Sequence, residues 1–363
     1  MAFAPSPPSA AAETIPSNGC SDTFNATLDN ALVDVRTAIL DIVPPEGSLL
    51  KEAMAYALGK PGKLLRPKLG VLMASCFLDP ITPSPTYASI LETAAAAEMI
   101  HLATLLHDDV LDHADTRRGR PTLNRVLGNT TAILSGDYLL AQASRKLAKV
   151  GVLRNVALFS DVLADLCDGE LEQHRTQFLW EGTQAASVWE SYLRKSIGKT
   201  ASLFRAACSS QAILLEQPET VIAQAATYGE AFGLAFQLMD DWLDYTASAE
   251  TLGKPALGDL CNGMLTAPIL LALDTTDPHN PITPASHAAL CEVIRTVFDT
   301  QTLPEPTAIT LHALLAEAHV PQRMPALIEH YSQKALTAIT LWPEGDAKAQ
   351  LTNLITTAAS RPS

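Results

Sequence analysis

The chain has 363 residues and a formal net charge of −14, from 39 Asp and Glu against 25 Lys and Arg. This excess of acid argues against nucleic acid or an anionic membrane surface as a general partner. Hydrophobic residues make up 47% of the chain. Because no uncharged apolar run reaches the ~18 residues that a spanning helix needs, we expect no transmembrane span.

The first segment, residues 1–27, is rich in Ala, Ser and Pro and contains no Lys or Arg. This composition predicts a disordered tail. It fits neither a secretory signal, which starts with basic residues, nor an Arg-rich transit peptide. We therefore expect a cytoplasmic protein, with a plastid protein that is processed after import as the alternative. Six scattered cysteines without a CxxC pair fit an intracellular location.

From residue 28 onward, apolar residues recur at intervals of three and four, which predicts helices. Nothing within 28–363 indicates a domain boundary. The sequence therefore predicts a single all-α domain that is long enough to bury a large core.

An acidic motif follows the apolar helix predicted at 93–106: Asp108, Asp109 and Asp112. At about 100° per residue, these positions fall within one arc of a helix. Three carboxylates this close repel one another unless a counter-charge is present, and Mg²⁺ is bound by carboxylate oxygens. The motif predicts a Mg²⁺ site, although a single DDxxD also occurs on solvated helix faces.

The same motif occurs again at Asp240, Asp241 and Asp244, after another apolar helical run. Basic residues lie between and after the two motifs: Arg117, Arg118, Lys199 and Lys254. Two Mg²⁺ clusters facing across a cavity are the leading interpretation. Because Mg²⁺ bridges carboxylates to phosphates while Lys and Arg neutralise the remaining oxygens, such a site would hold a polyphosphate.

A series of segments occurs in the order found in trans-type polyprenyl diphosphate synthases, which the chain resembles over about 28–361: GKLLRP, EMIHLATLLHDDVLD, TRRGRPT, GDYLLAQA, GELEQ, KSIGKTASLF, GLAFQLMDDWLDY and ETLGKPALGDL. The segments SAETLGKP and LTAPILLAL are most similar to solanesyl-type enzymes of oxygenic phototrophs. The resemblance implies an all-α bundle of about 10 to 14 helices around a deep central cavity, in a homodimer. It also implies about three Mg²⁺ per active site.

The implied reaction is the sequential condensation of isopentenyl diphosphate with an allylic diphosphate. By resemblance, isopentenyl diphosphate is held by Lys63, Arg66, His101 and Arg118, and the allylic diphosphate by Arg117, Lys199 and Lys254. Asp108, Asp112 and Asp240 take part in catalysis through Mg²⁺. Thr200 and Gln237 face the developing cation. Lys199 and Thr200 match a kinked segment, and Gly198 would ease the kink. Gln173, in the GELEQ segment, either supports the site or is an ordinary buried polar residue.

Product length is expected to depend on the residues that precede Asp108. Thr104 and Ala103 stand four and five positions before it, with Ile100 and Ala97 further back. Short-chain members of the family often place bulky aromatic residues here. We predict a product of about C40 to C50, of the kind used as a quinone side chain, although Ala is favoured in any helix. A farnesyl or geranylgeranyl product is the alternative.

Two residues depart from the family pattern after the second motif. Leu257 stands where the family commonly has Gly, and Met264 where many members have Lys or Asn. These departures leave open a non-catalytic, regulatory subunit of a heteromeric prenyl synthase. A class I terpene synthase is a further alternative, but its second metal motif is usually of the NSE type, whereas this chain has DDWLD.

Overall fold

The computed structural model describes residues 21–45, 47–59, 62–78, 84–117, 119–179, 185–246 and 257–360. These residues form α-helices, one π-helical turn and one short hairpin, which confirms the all-α class. The elements are α1 Asp22–Leu40, α2 Leu49–Leu58, α3 Leu65–Ser75, α4 Pro85–Leu111, β1 Thr116–Arg117, β2 Arg120–Pro121, α5 Leu123–Leu127, α6 Asn129–Val150, α7 Leu153–Thr176, α8 Ala185–Ser196, the π turn Ile197–Ala201, α9 Ser202–Leu214, α10 Glu219–Thr246, α11 Gly258–Cys261, α12 Ala267–Leu273, α13 Pro284–Thr300, α14 Glu305–Glu317, α15 Val320–Ala338 and α16 Asp346–Ala359.

The number of long helices agrees with the sequence. Thirteen of the sixteen α-helices in the described ranges have ten or more residues. The others, α5, α11 and α12, have five, four and seven residues. Helices of this length contain at most two turns, so hydrophobic periodicity cannot identify them.

Helix α1 begins inside the segment 1–27 that the sequence predicted to be a disordered tail, so that prediction is wrong over 22–27. The Ser21 hydroxyl caps the helix by accepting a hydrogen bond from Phe24 N at 3.2 Å, and it donates to Asp346 Oδ2 at 2.6 Å. Asp22 lies in the first turn, where a carboxylate favours the helix dipole. Residues 1–20 lie outside the described residues.

Helices α4 and α10 form the centre of the bundle. Helix α4 packs against α1, α3, α6 and α9, and α10 packs against α9, α15 and the π turn. Among the described residues, only Pro85–Leu111 is long and apolar enough to cross a membrane by length and composition, and 67% of its most apolar window is buried inside the bundle. The all-round apolar character of α4 is therefore that of a core helix.

Close approach of two backbones fixes the π turn against α7. A Cβ atom built on Gly198 would lie 2.6 Å from Asp165 O, and one built on Gly169 would lie 2.8 Å from Lys199 N. On the other side of the turn, a Cβ on Gly233 of α10 would lie 2.6 Å from Ala201 Cα. Glycine is therefore required at these contacts because any side chain would separate the elements.

Candidate active site

The first acidic motif lies at the C-terminal end of α4. Asp109 is 4% exposed and accepts a hydrogen bond from Arg117 Nε at 2.7 Å. The β1–β2 hairpin turns the chain back toward the helix and so brings Arg117 to this position. Asp108 is half-buried and Asp112, which caps the helix, is exposed. Asp109 therefore anchors the hairpin, and the other two carboxylates remain more accessible.

Neighbouring cations do not fully neutralise the carboxylate of Asp108. Burial raises its pKa to about 6, and the carboxylates of Glu170 and Asp112 act in the same direction, against the opposing charges of Lys199 and Arg117. Burial is also the main cause that raises the pKa of Asp112. Because the surrounding cations do not compensate these charges, the donor set fits a divalent cation with oxygen ligands.

The π turn connects the two motif helices through consecutive residues. Lys199 Nζ lies 2.5 Å from Glu170 Oε2 and 3.9 Å from Asp108 Oδ2, at the end of α4. Thr200 Oγ1 donates to Gln237 Oε1 on α10 at 2.8 Å. A π turn inside a helical segment is frequent at functional sites. Here it directs one residue toward each motif helix.

The second motif separates into one accessible and two buried aspartates. Asp241, 1% exposed, accepts hydrogen bonds from Gln237 Nε2 at 2.8 Å, Tyr192 OH at 2.6 Å and Ala267 N at 3.4 Å. Burial raises the pKa of Asp241, and the first two of these donors oppose that shift most strongly. Asp240 is exposed. Asp241 therefore joins α8, α10 and α12, and Asp240 is the accessible carboxylate.

Asp244, the third aspartate of this motif, is fully buried and contacts the start of α11. Its Oδ2 accepts from Asp259 N at 3.2 Å, and its carbonyl oxygen accepts from Leu257 N at 2.9 Å. Leu257 has a φ of 60° and a ψ of 23°, in the left-handed region that favours glycine. Leu257 adopts this conformation although it is not glycine, and its side chain is 4% exposed.

Metal binding by the six aspartates stays a prediction. No three His, Cys, Asp or Glu side chains converge closely enough for a metal ion in the ranges that the structure describes. The exposure of the two motifs favours Asp108, Asp112 and Asp240 as the residues that would hold Mg²⁺. The buried aspartates, Asp109, Asp241 and Asp244, instead accept hydrogen bonds that fix the surrounding chain.

Arg66 is the best defined member of the predicted isopentenyl diphosphate set. Its guanidinium carbon lies 4.3 Å from the centroid of the Phe204 ring. Its Nε is buried and has no hydrogen-bond partner among the described residues. Burial lowers its pKa to about 10, while the carboxylates of Glu98 and Asp240 oppose the shift, so Arg66 remains charged near the second motif. An unsatisfied buried donor of this kind suits an anionic ligand.

The other members of the basic sets are less well determined. Lys63 is exposed just before α3, and His101 is half-buried on α4, seven residues before Asp108. Arg118 and Lys254 lie outside the described residues, so their roles stay predictions.

The residues predicted to set product length are packed into the core. Ala97, Ile100 and Ala103 are at most 1% exposed. Thr104 is half-buried, and its hydroxyl donates to His101 O at 2.8 Å. Of the four positions, Thr104 is therefore the one whose side chain reaches accessible space.

Two contacts of this site went beyond the sequence prediction. Glu170 is the closest carboxylate to Lys199, whereas the residue predicted from this segment was Gln173, which accepts from Lys199 Nζ at 3.4 Å. Tyr192 was missed altogether. It stands seven residues before Lys199, or about two helical turns, and this spacing could have placed it on the same face.

The chain is similar in sequence and in structure to known proteins. The chain matches the family model described as polyprenyl synthetase over residues 47–289. It is 38% identical to solanesyl diphosphate synthase 1, chloroplastic, of Arabidopsis thaliana over 245 residues, which is 67% of this chain and 59% of that protein. It is 36% identical to decaprenyl-diphosphate synthase subunit 1 of Schizosaccharomyces pombe, over 68% of this chain and 70% of that protein.

Among solved structures, a polyprenyl synthase from Caulobacter crescentus, complexed with calcium and isoprenyl diphosphate, superposes with a TM-score of 0.80. The identity is 27%, and the match covers 96% of this chain and 100% of that one. The predicted resemblance is thereby confirmed. The chain belongs to the polyprenyl synthetase family.

Proposed function

We propose that the chain is a Mg²⁺-dependent prenyltransferase that condenses isopentenyl diphosphate with an allylic diphosphate, repeatedly, to a long all-trans polyprenyl diphosphate. The observation that carries this proposal is the π turn, where Lys199 faces the first acidic motif and Thr200 contacts the helix of the second. Two carboxylate motifs on helices that the same turn contacts, with a lysine next to the first, suit the departure of a diphosphate from an allylic carbon.

The leaving diphosphate would meet both metal and protein cations. Mg²⁺ held by Asp108, Asp112 and Asp240 would neutralise the charge that develops on the leaving oxygen. Lys199 supplies a fixed ammonium that its contact with Glu170 keeps in place at 2.5 Å. Because carboxylates within the protein already surround Lys199 and raise its pKa against the effect of burial, it stays protonated during the reaction.

The allylic cation that remains would face oxygens of the π turn. The Thr200 hydroxyl directs its proton to Gln237 Oε1, so its lone pairs stay available to a positive charge. Gln237 is itself held through its amide nitrogen by Asp241 at 2.8 Å. Both side chains are thus oriented before substrate binds, which reduces the reorganisation needed in the transition state.

The second substrate, isopentenyl diphosphate, would bind at Arg66 with Lys63, His101 and Arg118. The unsatisfied Nε of Arg66 is the observation that supports this assignment. The double bond of isopentenyl diphosphate attacks the cation, and the proton then lost can pass to the departed diphosphate. No side chain has to act as the general base.

A long product agrees with the names of the relatives, which are solanesyl and decaprenyl diphosphate synthases. Thr104, the most accessible of the four positions predicted to set product length, carries no ring that would stop a growing chain. The chloroplastic relative supports the plastid alternative for location, and the cytoplasmic prediction stays a prediction.

A homodimer is part of this proposal. Exposed large apolar side chains occur on the neighbouring helices α6 and α7: Ile133, Leu134, Leu153 and Leu171. A second copy of the chain would cover such a surface. Light scattering at micromolar concentration would show twice the chain mass, and a monomer would contradict this part of the proposal.

The experiment that tests the function measures incorporation of labelled isopentenyl diphosphate with Mg²⁺ and, in turn, dimethylallyl, geranyl, farnesyl and geranylgeranyl diphosphates. Elongation that depends on Mg²⁺ and is lost in Lys199→Met supports the proposal. No elongation from any primer, in protein shown to be folded, would point to a regulatory subunit instead.

A further inference from the structure

A cavity of about 310 Å³ lies beside the candidate active site, between the end of α7, α8 and the loop before α12. Its lining includes Gln173, Arg175, Tyr192, Arg194, Lys195 and Met264. None of these residues belongs to the basic sets that the family resemblance implies.

The cavity carries positive charge in a strongly acidic protein. Three of its lining residues are Arg or Lys, and none of the lining residues within the described ranges is Asp or Glu. Two of the cations share one neighbour behind the wall: Arg175 lies 2.7 Å and Arg194 3.7 Å from Glu172 Oε1. Both arginine side chains are more than 60% exposed and stand at the opening. One carboxylate therefore offsets only part of the charge of three cations.

Lys195 is the least exposed of the three cations of this cavity. Its Nζ lies 5.6 Å from the centroid of the Tyr192 ring, and no carboxylate in the described part of the chain forms a hydrogen bond with it. Burial lowers its pKa, while the more distant charges of Asp241, Asp259 and Glu170 raise it and that of Lys199 lowers it further. A partly buried ammonium without a close counter-ion provides binding energy for an anion.

The wall of the cavity is shared with the candidate active site. Tyr192 lines the cavity and donates to Asp241 of the second motif at 2.6 Å. Gln173 lines it as well and accepts from Lys199 Nζ at 3.4 Å. Tyr192 and Gln173 therefore separate the cavity from the second motif and from Lys199.

We propose that this cavity is a separate subsite for inorganic diphosphate, which Lys195 binds after the diphosphate leaves the metal cluster. The inference rests on the proposed function, because that reaction releases one diphosphate in every cycle. Repeated elongation requires the released diphosphate to vacate the metal cluster before the next allylic end can bind there. Lys195, together with Arg194 and Arg175 at the opening, would bind the released diphosphate there.

The test is calorimetric titration of inorganic diphosphate into the full chain, with EDTA present and isopentenyl diphosphate at saturation. Without metal, the aspartate clusters repel the anion and no reaction occurs, and the saturating substrate fills its own site. Lys195→Met should weaken diphosphate binding about tenfold, the loss of one charge-assisted contact. Met264→Lys adds a cation to the same cavity and should strengthen binding. Lys149→Met, which removes an exposed ammonium paired with Glu92 on another face, should leave it unchanged.

Unchanged affinity in Lys195→Met or in Met264→Lys, with circular dichroism like that of the wild type, would overturn the inference, and so would an absence of binding by the wild type. The product assay separates this failure from failure of the proposed function. An active wild-type enzyme without Lys195-dependent diphosphate binding refutes the subsite alone. Retained Lys195-dependent binding in a protein that elongates no primer refutes the proposed prenyltransferase.

Discussion

Substitution of Gly198 by Ala should separate α7 from the π turn. The added Cβ would lie 2.6 Å from Asp165 O and 3.3 Å from Gly169 Cα, and both are backbone atoms that cannot rotate away. Alanine is favoured over glycine in a helix by about 1 kcal/mol. Overpacking of this severity typically costs about 1–3 kcal/mol, and at 2.6 Å the upper half of that range applies. We expect a net loss of about 1–2 kcal/mol in the free energy of unfolding.

The effect on activity should be larger than the effect on stability. Lys199 follows Gly198 directly, and its Nζ contacts Glu170 at 2.5 Å. Because a displacement of about 1 Å in a positioning group can cost ~100-fold in rate, we expect kcat to fall by about that factor. Urea unfolding and single-turnover elongation measure the two quantities on the same preparation.

Gly258→Ala is the matched control, since a Cβ at Gly258 meets nothing within 4 Å. Its unfolding free energy should lie between that of the wild type and about 1 kcal/mol above it, the gain for Ala over Gly in a helix. A Gly198→Ala protein as stable and as active as this control would refute the argument that backbone contact between α7 and the π turn positions Lys199.

Three further predictions concern the charge of Asp108, the backbone conformation of Leu257 and the length of the product. Burial raises the pKa of Asp108 from 3.8 to about 6, so the folded state binds its proton more tightly and stability falls as pH rises through that interval. In EDTA, Asp108→Asn should therefore stabilise the fold by about 1–3 kcal/mol near pH 8 and by roughly half as much near pH 5; equal effects in urea unfolding at both pH values would contradict this. Leu257→Gly removes the strain of a left-handed non-glycine residue, which stabilises the fold by about 1–2 kcal/mol. It also removes a buried side chain, which destabilises the fold by about 2–5 kcal/mol. Net destabilisation of about 1–3 kcal/mol should appear in the same assay, and a more stable variant would show that strain dominates. Thr104→Phe should shorten the products, sized after dephosphorylation, and a product distribution like that of the wild type would place the growing chain elsewhere.

Local chemistry in the sequence was enough to identify the two acidic motifs and the lysine between them. Asp108 and Asp240 follow apolar runs that mark α4 and α10, and Lys199 stands in a family segment. The start of α1 was also available, because Ser21 and Asp22 form a capping signal, but the composition of the preceding residues outweighed it.

The remaining features depend on contacts between distant parts of the chain. The family resemblance implied a kinked segment at Lys199 and Thr200, but the π turn that forms the kink depends on packing against Gly169 and Gly233. Asp240 is accessible whereas Asp241 is buried and hydrogen-bonded. This difference depends on Tyr192 and Ala267, which lie 49 and 26 residues away from Asp241 in the sequence. No spacing within the DDWLD segment distinguishes its aspartates.

The central claim is that the two aspartate motifs act together on a diphosphate to build a long chain. It is tested most directly by sizing the products of the wild type and of Asp108→Ala and Asp240→Ala, with Mg²⁺, labelled isopentenyl diphosphate and farnesyl diphosphate as primer. We predict a wild-type ladder that ends at about C40 to C50, and its loss in both variants although each stays folded. Elongation that survives either substitution would contradict the account.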